Sequence, residues 1–552
     1  MKLQIVGNSS IRKEGLQKTL GLARYVDDYS FDGTIFGITI RSTIARGKIK
    51  KIIFDTHIPW DEYIIVSAKD IPSKNVIALI LDDQPCLAEN FIHHAQEPIL
   101  LLAHHDKCAL EKARNAIHIE YEEYEPVFSI EDSLSKKHIV WGNDNIIKSY
   151  HLNKGNVDSV WANADFIIEG EYRTGAQEQL YIEPNGIIAW FQNDTVTIWG
   201  SMQCPYYIHK AIKYLFGFND NKVRVIQTET GGGFGGKEEY PSLLACHAAL
   251  LSYKSQKPVK MIYDRAEDME ATTKRHPSIT RHKTAVNKVG KILGMEIEFY
   301  VDGGAYSTLS SVVLSRGTIH ATGPYFCENI RITSKAVATN SPPNGAFRGF
   351  GAPQTIFALE RHLDKIASQI HISPIELRKI NFILHEQRTA VGQIVHDNID
   401  MSKLLDRAVS ETQYHDKYVS YHEQNKTSHI KKGIGLASFM HGAGFTGSGE
   451  KMLGSVVEVK VNDNDTISIL SSSTEIGQGT NTIFSQIAAE TLGVEYNDIQ
   501  IVTPDTNFVP NSGPTVASRT CMIVGKLIQQ ACHNLIHKLS DKKLLSKKFG
   551  RF

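Results

Sequence analysis

The chain has 552 residues, 60 basic and 60 acidic side chains, a formal net charge of zero and 41% apolar residues. That length is too great for one hydrophobic core and predicts three or four domains. The balanced charge leaves no global field to attract nucleic acid or an anionic membrane. The first fifteen residues lack the apolar run of a secretion signal, and the runs VIALIL and PILLLA are too short to span a bilayer. A soluble cytoplasmic protein with small-molecule or protein partners is therefore expected. Seven scattered cysteines (86, 108, 204, 246, 327, 521, 532) include no C-x-x-C pair, which argues against an iron–sulfur cluster, a zinc site or a disulfide framework in this chain. His93-His94 and His104-His105 read as surface or edge residues rather than ligands.

Residues 1–125 alternate β-rich runs (GTIFGITIRS, KIKKIIF, YIIVSA, NVIALIL, EPILLLA, AIHIEYEEY) with one helical stretch, DKCALEKARNA, and predict a compact α+β domain closed by Pro126. A polar linker over 126–155 is expected next. Beyond it lies a weak internal repeat, read as two related α+β units over 156–410 and 430–552. GIIAWFQNDTVTIWG (186–200) and SVVEVKVNDNDTISIL (455–470) each read as a hairpin. After each come a special turn (SMQCP; SSTEIGQG), a helix ending in Gly, a short strand, a second special turn and another helix. A cleft between the units, lined by these four turns, is the expected ligand site. Between the units, PQTIFALERHLDKIASQI and the Ser-capped SPIE segment (373–376) predict two more helices.

The turns carry the chemistry. Gly231 to Lys237 fits the G-x-x-x-x-G-K phosphate loop, but Glu238 stands where that loop needs a Ser or Thr for Mg²⁺, and its carboxylate would repel phosphates. TVASRT (515–520) offers Ser518, Arg519 and Thr520 beside the free amides of a helix start, and EIGQGT (475–480) flanks Gln478 with glycines. PPNGAFRGFGAPQ (342–354) holds Phe347, Arg348 and Phe350 on glycine hinges, an arrangement suited to stacking on a flat heterocycle.

Taken in order, ARYVDD, TGAQEQLYIEPNG, GGGFGGKEEYPS, ATTKRHPS, VDGGAYS, NGAFRGFGAPQ, STEIGQGT and SGPTVASRT resemble the molybdenum-binding large subunit of the xanthine dehydrogenase/aldehyde oxidase family, from about residue 12 to 540. The resemblance implies an N-terminal α/β hammerhead domain and two molybdopterin-binding domains, the second incomplete. It also implies a molybdenum–molybdopterin cofactor, in the cytosine dinucleotide form, whose dithiolene holds the metal. Electrons would leave through a 2Fe-2S subunit and an FAD subunit, in a dimer of heteromers.

Carried over by position, Gln177 contacts an oxygen ligand of molybdenum, and Gly233, Phe234, Gly235, Arg348, Ile476, Gly477, Gln478, Ala517, Ser518, Arg519 and Thr520 contact the pterin. Gln177, Phe234, Arg348 and Ala517 would surround the metal. Glu238 and Arg316 match the residues that hold a purine such as xanthine or hypoxanthine, with Phe350 and Phe445 sandwiching its ring and Thr446 beside it. The family's general-base glutamate sits beyond the ASR helix in a glycine-rich segment, and this chain stops at LSDKKLLSKKFGRF before one appears. The alternatives are thus a shortened, inactive subunit, or an oxidase of aldehydes or other N-heterocycles. Glu450 in GSGE imitates the missing motif but lies before the second hairpin.

Overall fold

The computed structural model describes residues 5–445 and 449–541. The repeat is present as a topology. In the first unit Gly186–Gln192 pairs antiparallel with Thr195–Gly200 across a turn at Asn193 and Asp194, both left-handed (φ 51° and 57°), and Thr195–Gly200 pairs parallel with Val223–Gln227 after the helix Pro205–Phe216. In the second, Glu458–Val461, Ile467–Leu470, helix Thr480–Leu492 and Ile499–Ile501 repeat that sequence of pairings. Both helices end on a left-handed glycine, Gly217 and Gly493, because only a residue without Cβ turns there freely.

The sheets cross the boundaries expected from sequence. The seven-stranded sheet runs Val223–Gln227, Thr195–Gly200, Gly186–Gln192, Val259–Ile262, Ile35–Arg41, Pro98–His104, Ile64–Val66, so the N-terminal region gives three strands to a sheet shared with the first cofactor unit. Helix Tyr240–Ser255, apolar on nearly all sides, is buried against it. Gly47–Phe54, Phe91–Ile92 and Ile117–Glu123 form a separate three-stranded sheet. The polar 126–155 segment is folded rather than a bare linker. Its Ile146–Lys154 is the edge strand of a five-stranded sheet, paired with Asn329–Ala338. NVIALIL forms no strand: Ile77 and Ala78 are buried, while Ile80 and Leu81 face solvent. Among the described residues no helix is long and apolar enough to cross a membrane. The basic stretch from residue 542 on lies outside the described residues.

Histidine burial departs from the surface reading. His94 and His104 are buried. His282 of the five-stranded sheet stacks at 4.9 Å on His362 of helix Ala352–Gln369, and neither ring nitrogen of His282 finds a hydrogen-bond partner among the described residues. Burial pushes His94, His247, His276 and His282 down to about 3 and His362 to about 2. Unfolded histidines take up protons near pH ~6.5 while these cannot, so stability is full above that pH and is lost as pH falls toward the folded values. The melting temperature should drop steadily from pH 7 to 5. His282→Phe, which keeps a ring in the stack but removes one titrating group, should flatten that slope; parallel slopes for the two proteins would refute the assignment.

Candidate functional site

The glycine-rich turns and the start of the last helix converge on one cavity of about 660 Å³, within the range of small-molecule sites. Of the residues expected from sequence, Gly233, Phe234, Gly235, Glu238, Arg316, Arg348, Phe350, Ile476, Gly477, Gln478, Ala517, Ser518 and Thr520 line it. Gln177, Phe445 and Arg519 are not in its wall. Thr446 lies outside the described residues.

The first glycine loop follows strand Val223–Gln227. A Cβ on Gly235 (φ 105°) would lie 2.7 Å from the carbonyl carbon and oxygen of Ala346, so this loop and the aromatic turn touch backbone to backbone. Gln203 binds the loop to the second unit: its Oε1 accepts from Gly235 N at 2.9 Å and its Nε2 donates to Thr515 O at 3.0 Å. Lys237 turns away from the cavity. Its fully buried ammonium donates to Glu183 Oε2 at 2.9 Å and Ser201 Oγ at 2.7 Å and lies 4.9 Å from the Tyr181 ring centroid. The phosphate-loop pattern therefore has neither a lysine free for phosphate nor a hydroxyl for Mg²⁺.

The aromatic turn is strained into place. Phe350 is left-handed (φ 52°) between Gly349 and Gly351 (φ 92° and 99°). Arg275 supports it, stacking 3.8 Å from the Phe347 ring centroid and donating through Nη2 to Arg348 O at 3.0 Å. Burial pushes Arg275 down to about 10. The same guanidinium holds Gln177, whose Oε1 accepts from Arg275 Nε at 2.6 Å. The Arg348 side chain is exposed at the wall.

Glu238 is the one carboxylate among the cavity-lining residues. It is buried, accepts no protein hydrogen bond among the described residues, and is held well above the usual carboxylate range by burial and then by the charge of Glu239. Arg316, lowered by burial, spends one donor on Gly442 O at 2.8 Å and another on Gly444 O. It thereby fixes the segment that carries Phe445.

In the second unit Glu475 accepts from the backbone N–H of Gly477, Gly479 and Asn481 and so shapes the turn before helix Thr480–Leu492. Gln478 folds back onto this turn, accepting from Ile476 N and donating to Thr474 O and Thr480 Oγ1. Ala517 and Ser518 are both left-handed (φ 53° and 55°), followed by a π-helical turn, Thr520–Val524. Such strain persists where the surroundings impose it, and it gathers at functional sites. Arg519 is the anchor: fully buried, it donates to Ser512 O at 2.9 Å, Ser455 Oγ at 2.6 Å and Glu450 Oε2 at 3.1 Å. Glu450 is thus an ion-pair partner in the wall's foundation.

Gln203, Thr515, His441 and Cys521 also line the cavity and were not singled out from sequence. The repeat held a signal for Gln203, because SMQCP stands where the second unit has SSTEIGQG. His441, stacked at 5.3 Å on His320, had no comparable marker.

Models of the molybdopterin cofactor-binding domain match residues 141–382 and 407–548, and the aldehyde oxidase and xanthine dehydrogenase a/b hammerhead model matches 20–125. The large molybdopterin subunit of nicotinate dehydrogenase from Eubacterium barkeri is 32% identical over 408 residues, covering 73% of this chain and 96% of that one. Xanthine dehydrogenase of Dictyostelium discoideum is 32% identical over 528 residues; the match covers 95% of this chain but only 38% of that enzyme. Aldehyde oxidoreductase from Desulfovibrio gigas superposes with a TM-score of 0.87 at 25% identity, covering 98% of this chain and 62% of that one. With its hammerhead region, its repeated cofactor-binding units and the cavity between them, the chain belongs to the molybdopterin-binding family of xanthine dehydrogenases and aldehyde oxidases.

Proposed function

We propose that the chain is the cofactor-binding subunit of a molybdenum hydroxylase that oxidises a flat, purine-like nitrogen heterocycle, xanthine or hypoxanthine, by RH + H₂O → ROH + 2e⁻ + 2H⁺. The residues fit such a cofactor. A Cβ on Gly477 would meet nothing within 4 Å, so that backbone lies open at the cavity wall, while Gly235 packs its loop as closely on Ala346 as a backbone can. Among the described residues no group of three or more His, Cys, Asp or Glu could hold a metal ion, so a metal here would arrive with its own ligand, as a pterin dithiolene provides. The backbones of Gly233–Gly235, Ile476–Gln478 and Ala517–Thr520 would hold the pterin. When bound, the cofactor supplies the two-electron oxidation that exchanges a ring C–H for C–OH.

The observation that carries the substrate class is Glu238, a buried carboxyl in the cavity wall that has no protein partner among the described residues. Kept neutral, it offers an O–H donor beside a C=O acceptor, the complement of a ring N or C=O next to an N–H. An aldehyde, with one acceptor and no N–H, would leave that acceptor unpaired. Phe350 lies in the same wall to face a ring, and Arg316 keeps donors beyond the two it spends on Gly442 and Gly444. Relatives named for nicotinate and for xanthine both point to a nitrogen heterocycle. Separate iron–sulfur and FAD subunits, a dimer of such heteromers and the cytosine dinucleotide form of the cofactor complete the proposal. They rest on the resemblance to multi-subunit bacterial members, and one relative is itself named a subunit.

The co-expressed complex should carry about one molybdenum per chain and turn over a purine; a complex that folds without molybdenum would remove the cofactor reading, and one that holds molybdenum without turnover would favour the shortened, inactive subunit. Glu238→Leu should lower kcat/KM for the purine on the order of a hundredfold more than for an aldehyde, since a buried polar partner is lost. Equal losses on both substrates would remove the purine assignment. Because the neutral acid is the binding form, purine kcat/KM in the native complex should fall as pH rises through the elevated Glu238 pKa. Glu238→Gln, which cannot ionise, should lack that limb.

A further inference from the structure

Residues 5–25 run as an arm from the second cofactor unit to the first. At one end the backbone N–H groups of Ile5 and Val6 donate to Glu490 Oε2 at 2.8 and 2.9 Å, and Lys13 Nζ donates to the carbonyls of Tyr496 and Ile499, both at 2.9 Å. This seats the arm across helix Thr480–Leu492 and the turn after it. At the other end Tyr25 forms a parallel bridge with Glu229, and Lys18 pairs with the Glu229 carboxylate at 3.2 Å. Glu229 opens the first glycine loop, just before Gly231. The arm therefore holds the base of one cavity-lining turn while crossing the other.

Arg12 sits at that crossing. Its Nη2 donates to Gly477 O at 2.8 Å and to Glu475 Oε1 at 3.1 Å, and its Nε donates to the buried carboxylate of Glu14, which aims the guanidinium. Gly477 depends on these bonds. Its φ of 111° is open only to glycine, and no side chain packs where its Cβ would be. The orientation of its peptide groups is set by Glu475 on the N–H side and Arg12 on the carbonyl side. A planar guanidinium can hold a carbonyl and a carboxylate together, where an ammonium on a flexible stem fixes less.

We infer that residues 5–25 form a clasp that fixes the two glycine turns relative to each other, with Arg12 as the positioning residue for the Gly477–Gln478 turn at the cavity. What that turn holds rests on the cofactor reading above; the ordering of the turn by the arm does not. Arg12 is 43% exposed, so its removal leaves the cores intact.

Hydrogen exchange on the full chain produced without cofactor, as wild type, Arg12→Ala and Arg12→Lys, tests the clasp directly. In Arg12→Ala the amides of Gly477, Gly479 and Asn481 should exchange roughly tenfold faster, with the exchange of helix Tyr240–Ser255 unchanged. Arg12→Lys should recover part of the protection. In the co-expressed complex, molybdenum per chain should fall in the same order, Arg12→Ala below Arg12→Lys below wild type. Unaltered exchange at 477–481 in Arg12→Ala would overturn the clasp. Absence of molybdenum even from the wild-type complex would instead count against the cofactor reading, with exchange still deciding the clasp.

Discussion

The cavity depends on one buried ion pair. Lys237 is a fully buried ammonium, and taking such a charge out of water costs several kcal/mol unless its partners are in place. They are: one oxygen of Glu183 accepts from Lys237 Nζ, from Ser201 Oγ and from Gly231 N. That carboxylate oxygen therefore holds the loop at both its first glycine and its lysine. With the two ends fixed to the 181–183 segment, the intervening Phe234 and Gly235 are presented to the cavity in left-handed conformations that a free loop would relax. Burial lowers the lysine pKa while Glu183 opposes the shift. Removing either partner would strand the other, which is why the pair acts as a unit.

From this fixed loop the order spreads by short polar links. Gln203 uses both ends of its amide to join Gly235 of one unit to Thr515 of the other, and Thr474 Oγ1 donates to the Gln203 carbonyl at 3.2 Å. Gln227 donates to Glu475 O at 2.8 Å, joining the strand before the first loop to the turn before the second helix. Each link is worth only about 1 kcal/mol. They act together because the segments they join are already held, Gln227 in its strand and Gly235 in the loop tied down by Glu183, so the cavity is preformed.

Local patterns were legible in the sequence and non-local partnerships were not. Hairpins at 186–200 and 455–470, glycine helix ends and the Ser373 cap are written in periods of two and 3.6 and in residues with special backbone freedom. That strands near residues 35, 65 and 100 complete a sheet begun at 186 depends on the pairing of Ile35 with Val259, residues far apart in the chain, which periodicity does not encode. NVIALIL shows the limit from the other side, since apolar composition alone suggested a strand where Ile77 N donates to Gln84 O at 2.9 Å but no ladder forms. The glycine turns at the site could be found because glycine marks backbone that must approach something closely. Side-chain direction could not be found that way: in TVASRT, Ser518 lines the cavity while Arg519 turns inward to Glu450.

The pair Glu238-Glu239 shows how adjacent, identical residues come to differ. Both carboxyls are buried, and burial raises the proton affinity of both; the charge of Glu239 raises Glu238 further, while Glu239, opposed by the hydrogen bond from Ala346 N, is brought to about 7. Glu239 turns to the aromatic turn, where its Oε1 accepts from Ala346 N at 3.0 Å, and a Cβ on Gly345 would collide with that oxygen. Glu238 lines the cavity and accepts no hydrogen bond among the described residues. Two like charges side by side in a low-dielectric wall cannot both ionise cheaply, so the carboxyl with a backbone donor is the better place for the charge and its neighbour keeps the proton. The inward glutamate thus positions the turn that carries Phe350 and also helps keep the outward one neutral. A change at Glu239 would reach the cavity wall twice, once through the backbone of Ala346 and once through the proton on Glu238.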